Sequence, residues 1–145
     1  MIAHLFLGGV LAALVLPSEP ARMGPRALAT IRWWHRRACR ILGVRVEVRG
    51  APPRHPVLVA SPHLSWLDIP VLGGVMDCAF LSKQEVRHWP AVGWLAARAG
   101  TLFVRRGERQ SAEDAVGAMT AALEAGRQVV FFPEGTRSHD GHLLP

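Results

Sequence analysis

Within residues 58–70, LVASPHLSWLDIP, two ionisable side chains stand five positions apart, His63 and Asp68, in otherwise apolar surroundings broken by serine. A carboxylate that accepts from one imidazole nitrogen fixes the tautomer and stabilises the imidazolium, and the other nitrogen can then take a proton from a bound hydroxyl. Histidine suits that work because its unperturbed pKa, about 6.5, lies near neutral pH. No single regular element brings the pair together. On a helix five steps turn about 500°, which leaves the side chains roughly 140° apart; on a strand they point to opposite faces. A strand–turn–helix junction is required, with His63 in the turn and the helix starting at Ser65, or at Asp68 with Pro70 in its first turn. The same residues admit a purely structural reading, in which Ser65 and Asp68 form a capping box.

Two further polar groups follow apolar runs. Arg105 and Arg106 end TLFVRR, and a guanidinium fork binds phosphate in two places at once. In FFPEGTRS, Pro133 ends a strand, Gly135 allows a tight turn, and Glu134 and Arg137 project around it, so the turn can present amides and a guanidinium to an anion. A second histidine-bearing turn, His139-Asp-Gly-His142, could join His63 as a metal site for a hydrolase, although its spacing is not that of a metal motif.

These groups need elements to hold them, and the chain reads as an alternation of strands and helices from residue 44 onward. VRVEVRG alternates with period two, as a half-exposed strand does. HPVLVAS, CAFLSK, TLFVRR and RQVVFFPEG are apolar runs suited to buried parallel strands. Between them lie helical stretches at 69–76, at 85–98 with Pro90 as a break, and at 111–125, where Ser111 and Asp114 form a capping pair and Gly126 stops the helix. The fold class is α/β, a mostly parallel sheet with covering helices. Its three polar groups lie at the carboxyl ends of strands, where open α/β sheets bind ligands.

Residues 1–42 differ in character. Residues 1–16 form an apolar run with His4 as its one titratable side chain; as a helix it would measure about 24 Å, short of the roughly 30 Å of hydrocarbon. A basic helix follows, with Leu28, Ile31, Trp34, Ala38 and Ile41 on one face, Arg32, Arg36, Arg40 and Arg37 on another, and Trp33 beside Trp34. Together they read as an N-terminal membrane-associated segment preceding a second domain at 43–145, with the basic residues favouring the cytoplasmic face of the inner or plasma membrane. The net charge of +6, with sixteen arginines and one lysine among 145 residues, suits an anionic surface. Nucleic acid is not the expected partner, because the aromatics are not interleaved along an exposed sheet; a non-enzymatic basic membrane-binding module is the competing class. Cys39 and Cys78 have no metal-like spacing and read as buried thiols.

Three of these blocks resemble a known family. HLSWLD is similar to the H-x-S-x-x-D block of the glycerolipid acyltransferases, which include the 1-acylglycerol-3-phosphate acyltransferases. GTLFVRR resembles their G-x-x-F-x-x-R block, and FPEGTRS their third block almost unaltered. The resemblance spans residue 44 to the end. It implies His63 as general base with Asp68 as its partner, and Arg106 on the acceptor's phosphate. Gly100 and Phe103 would shape the second block, and Glu134, Gly135 and Arg137 complete acceptor binding. The implied reaction moves a fatty acyl chain from acyl-CoA or acyl carrier protein to a lysophospholipid, 1-acylglycerol-3-phosphate first and lyso-ornithine lipid as the alternative. It needs no metal and no cofactor beyond the thioester. Two positions depart from the family: Pro62 stands where asparagine is common, and Arg105 where an acidic residue is common. A fourth, proline-containing block is absent, which implies a catalytic domain incomplete at its C-terminus.

Overall fold

The fold was described from a computed structural model, in which residues 2–105 and 109–133 are placed. Four parallel strands, β1 (Leu58–Ala60), β2 (Cys78–Lys83), β3 (Leu102–Val104) and β4 (Gln128–Phe131), form one sheet in the order β1-β4-β2-β3. All four carboxyl ends therefore meet one edge. The connections are helical: α3 (Asp68–Val75) follows β1, a 3-10 turn (Gln84–His88) and α4 (Val92–Arg98) follow β2, and α5 (Arg109–Glu124) follows β3. The step from β3 back to β4 runs opposite to the earlier ones, so right-handed crossovers place α5 on the opposite face from α3 and α4. It packs there on β3 and β4. The α/β class with a mostly parallel sheet is as the sequence leads one to expect.

The core is small. Met76, Cys78, Phe80 and Val130 are buried together, with Val59, Ile69, Leu72, Val75 and Phe132 packed against them. Over the α3 and α4 side lie α1 (Ile2–Val15) and α2 (Pro25–Ile41), which pack on each other and on α4 and α3 respectively. The contact of α1 with α2 is close because α1 turns Gly8 inward, where an added Cβ would come within 2.6 Å of the Trp34 indole nitrogen. Trp34 also stacks on the buried His4 ring at 4.5 Å.

Several expectations are corrected. Residues 44–49 carry no ladder, so VRVEVRG is not a strand of this sheet: alternation creates a two-faced segment, but a strand also needs a partner edge. Its valines, Val44, Val46 and Val48, instead line an open groove of about 490 Å³ with Val71 and Val75 of α3. The basic face of α2 is largely engaged within the protein. Arg32 pairs with Asp77, Arg36 donates to the Gly74 carbonyl at the end of α3, and Arg37 bonds His4. Ile41 is exposed rather than on the packed face, and Trp33 is exposed while Trp34 is half-buried. The partners of these arginines come from α1 and from the end of α3, and helical periodicity cannot see them. Ser111 lies inside α5 rather than at its N-cap, while Gly126 does stop that helix, at φ +81°. The 85–98 stretch splits at Pro90, as its proline requires.

Candidate active site

The local fold around His63 explains how two groups five positions apart meet. β1 ends at Ala60, the chain turns through 61–64, and a tight turn at 65–67 leads into α3. The Ser65 hydroxyl accepts from the Leu67 amide at 3.1 Å, and the Asp68 carboxylate reaches back to accept from the Ser65 amide at 2.9 Å. The carboxylate supplies its half of a capping box, while the hydroxyl bonds the amide two residues on and the Asp68 amide goes instead to the Ser65 carbonyl at 3.1 Å. The same oxygen, Asp68 Oδ2, accepts from the Leu64 amide at 2.8 Å and pairs with His63 Nδ1 at 2.8 Å. The structural and chemical readings of Asp68 thus hold together, since one carboxylate oxygen gathers three donors. An ionised carboxylate only accepts, so Nδ1 carries the proton and Nε2 is the basic nitrogen. Both side chains are about one-fifth exposed, 21% each, sheltered yet open to a reactant.

The partner that sequence reasoning missed is Phe132. Its ring lies against the His63 imidazole with centroids 4.1 Å apart and planes 25° from parallel. β4 neighbours β1 with Phe131 opposite Ala60, and the Ser61 amide continues that ladder to the Phe131 carbonyl at 3.1 Å. The turn bearing His63 and Phe132, the first residue of the FPEGTRS block, are therefore brought together by adjacent strands. The only sequence signal was an aromatic one residue past an apolar strand; its neighbour could not be read without the strand order.

The other candidate residues are placed less compactly. Arg105 is exposed at the end of β3, three strand positions from β1, which is about 14 Å at the usual strand spacing. Lys83, the sole lysine of the chain, is exposed at the end of central β2 between those two regions. Phe103 sits within β3, with the Arg87 guanidinium 5.8 Å over its ring. Gly100 is the left-handed residue that ends α4, at φ +83°, with its amide bonded to the Ala97 carbonyl and that of Thr101 to Ala96. An added Cβ there would lie 2.2 Å from an Arg127 nitrogen. Arg106, Glu134, Gly135 and Arg137, and with them His139 and His142, lie outside the described residues. Among the described residues no three of His, Cys, Asp and Glu gather into a metal-binding group.

The remaining titratable groups take structural parts. Burial pushes the Cys78 thiol up to about 12 and raises that of Cys39, so both free thiols stay protonated and unreactive. Arg127 is buried, and desolvation lowers its pKa; it donates to the Gly100 carbonyl at 3.3 Å and to Ala99 at 3.4 Å, a cation at the end of α4. Burial brings His35 down to about 4, so it packs neutral between Trp34 and Phe80.

Comparison with known proteins bears on what this site does. Residues 44–145 match the family model described as Acyltransferase. A lyso-ornithine lipid O-acyltransferase of Pseudomonas aeruginosa is 47% identical over 77% of this chain and 43% of its own length. A protein of the same name from Rhizobium meliloti is 37% identical over 99% of this chain and 48% of its own. A 1-acyl-sn-glycerol-3-phosphate acyltransferase of Neisseria meningitidis is 41% identical over 72% of this chain and 42% of its own. The chain thus spans less than half the length of these relatives. Among solved structures, the 1-acyl-sn-glycerophosphate acyltransferase PlsC of Thermotoga maritima matches 99% of this chain and 59% of that chain, at a TM-score of 0.72 and 32% identity.

Proposed function

The chain belongs to the acyltransferase family, and on that premise we propose that it transfers a fatty acyl chain from a coenzyme A or acyl-carrier-protein thioester to the free hydroxyl of a lysophospholipid. The observation that carries this reading is the 2.8 Å bond between His63 Nδ1 and Asp68 Oδ2 at the carboxyl edge of the parallel sheet. In the reaction, His63 Nε2 takes the proton of the acceptor hydroxyl as its oxygen attacks the thioester carbonyl. The tetrahedral adduct collapses, the C–S bond breaks, and the departing thiolate recovers the proton from the imidazolium. Asp68 holds the tautomer throughout and offsets the charge on the ring. No covalent acyl-enzyme and no cofactor besides the thioester is invoked. Arg106, Glu134, Gly135 and Arg137 bind the acceptor's anionic group in this reading, with Phe103 shaping the second block and Gly100 contributing as the turn that lets β3 start where it does.

Two acceptors fit within the reaction. With 1-acylglycerol-3-phosphate the product is phosphatidic acid. Lyso-ornithine lipid is favoured by the higher identity to the Pseudomonas relative, 47% against 41% for the Neisseria protein. The enzyme works at a lipid surface. Its support is the outer stripe of α1, where Ile2, Phe6, Val10 and Leu14 recur every fourth residue and are exposed. No helix among the described residues is long and apolar enough to cross a membrane. In this reading the exposed stripe of α1 rests in the interface, and the cytoplasmic leaflet is the side its thioester donors reach.

The test is transfer of labelled acyl chain from its coenzyme A thioester to each lysolipid in mixed micelles, parent against His63→Ala. Transfer lost with His63 supports the base assignment, and the better acceptor separates the two lipids. Transfer that survives the substitution removes His63 as the base.

A further inference from the structure

We propose that Phe132 is a positioning residue for the general base: its ring fixes the plane of the His63 imidazole and supports the positive charge that plane acquires during acyl transfer. The inference rests on the reading of His63 as the base and adds a second restraint to it.

The need for that restraint follows from the torsions. The bond from Cβ to an imidazole ring is a terminal sp³–sp² torsion, whose energy well is broad and roughly two-fold. Asp68 holds one ring atom, Nδ1, at 2.8 Å, which sets the tautomer and the in-plane direction. A single hydrogen bond leaves the ring able to tilt about that contact, and a tilt swings Nε2 out of line with the hydroxyl. Phe132 closes this freedom, because its face lies against the imidazole at 4.1 Å with only 25° between the planes. Two restraints of different kind, one along the ring and one across it, then determine where Nε2 sits.

Phe132 can serve as a reference because it is itself held. It packs against the core of Met76, Cys78, Phe80 and Val130. Its backbone follows β4 directly, where Phe131 is opposite Ala60 and receives the Ser61 amide at 3.1 Å. The imidazole is thus registered to the centre of the sheet through one aromatic ring. That ring also has an electrostatic part. Its face carries the negative end of the quadrupole, so it attracts the cation formed when Nε2 takes the proton and costs no reorganisation when the charge appears. An aliphatic side chain of similar volume would fill the space but supply neither the flat face nor the quadrupole.

The experiment compares Phe132→Leu, Phe132→Tyr and His63→Ala with the parent in the full-length protein, using the acyl-transfer assay above and nuclear magnetic resonance of the His63 ring protons. The leucine variant is expected to lose about tenfold to a hundredfold in kcat, the scale of a small misplacement of a reacting group. Its KM for both substrates should stay within twofold. Tyrosine, which keeps the face, is expected to restore kcat to within about threefold. The ring protons of His63 should lie upfield in the parent and in the tyrosine variant, shielded by the stacked ring, and return downfield with leucine. Should leucine lower the melting temperature, Phe132→Met makes the same comparison. Parental kcat in the aliphatic variant, failure of tyrosine to restore it, or unchanged ring-proton shifts would each overturn the proposal. An active His63→Ala would overturn the base assignment instead, while the ring shifts would still report whether the stack exists.

Discussion

At the scale of single residues, Asp68 carries two tasks that substitution can separate. Its Oδ2 receives the Leu64 and Ser65 amides as well as the imidazole. Asparagine retains an oxygen able to accept from those amides, so Asp68→Asn should cost little in stability, at most about 1 kcal/mol on the scale of helix caps. Its amide cannot stabilise the imidazolium, and the tautomer is no longer enforced, so kcat should fall by about 10²–10⁴. Asp68→Ala removes both functions and should lose stability as well. Thermal unfolding alongside steady-state kinetics checks the pair, and an asparagine variant that unfolds early yet keeps its kcat would make the carboxylate a cap alone. That His63 and Asp68 can meet only across a change of backbone course was legible in the sequence, since five steps of either regular element keep them apart. That Phe132 joins them was not, because its contact with His63 depends on β4 inserting beside β1, a choice made by the whole sheet.

Individual elements show where periodicity succeeds and where it stops. The apolar runs at central β2 and β4 were readable because buried strands leave continuous hydrophobic sequence; edge strands β1 and β3 share the apolar run but are exposed or half-buried, so the expectation of buried strands fails there. The 44–50 segment misled because its alternation resembles a half-buried strand while its valines serve a groove against α3. The family resemblance gives Gly100 to substrate binding, and the structure gives it a helix end. It closes α4 at φ +83° and leaves room for the buried Arg127. Gly100→Ala should therefore destabilise by about 1–3 kcal/mol through backbone strain, with Arg127 displaced in addition, and activity should fall in step with the folded fraction. A melting curve with kcat per folded molecule distinguishes this from lost binding, which would raise KM in a protein of parental stability. The α2–α3 contact supplies a pH test. His35 is buried beside Gly73, whose added Cβ would meet the ring at 2.7 Å, and its folded pKa is about 4 against 6.5 when exposed. The unfolded chain takes up that proton first, so stability is complete above pH 6.5, declines as pH falls toward 4, and levels off below. The loss is about 3 kcal/mol by linkage. His35→Phe should flatten this part of the stability–pH curve in urea titrations, and an unchanged slope would assign it elsewhere.

For the molecule as a whole, the decisive feature is what α1 does with its two faces. Its inner face, His4, Gly8 and Ala12, is buried against α2 and its neighbours. Arg98 of α4 donates to the Ala12 carbonyl at 2.7 Å and to that of Leu16 at 2.5 Å, placing a cation at the helix end. The helix is thus held to the catalytic layer by polar bonds and close small-residue packing. Its outer face offers Ile2, Phe6 and Leu14 at 86%, 75% and 78% exposure, with no charge among them. Such a stripe on a helix fixed to α2 and α4 favours a bilayer over water, because each large apolar side chain that leaves water contributes about 1.5–3 kcal/mol. The arginines of α2 add less than their number suggests, since Arg32, Arg36 and Arg37 are committed within the protein. The attraction should therefore be mainly hydrophobic and only weakly salt-dependent. Phe6→Ser with Leu14→Ser should reduce partition onto phosphatidylglycerol-containing vesicles by at least about a hundredfold, with the melting temperature unchanged because neither side chain is packed. Transfer to a lysolipid presented in vesicles should fall with it, while transfer to the same lipid in detergent micelles should hold. Vesicle flotation across a salt series decides the matter: binding by the double variant equal to the parent's, or parental binding abolished by salt alone, would move the anchor from α1 to the basic residues.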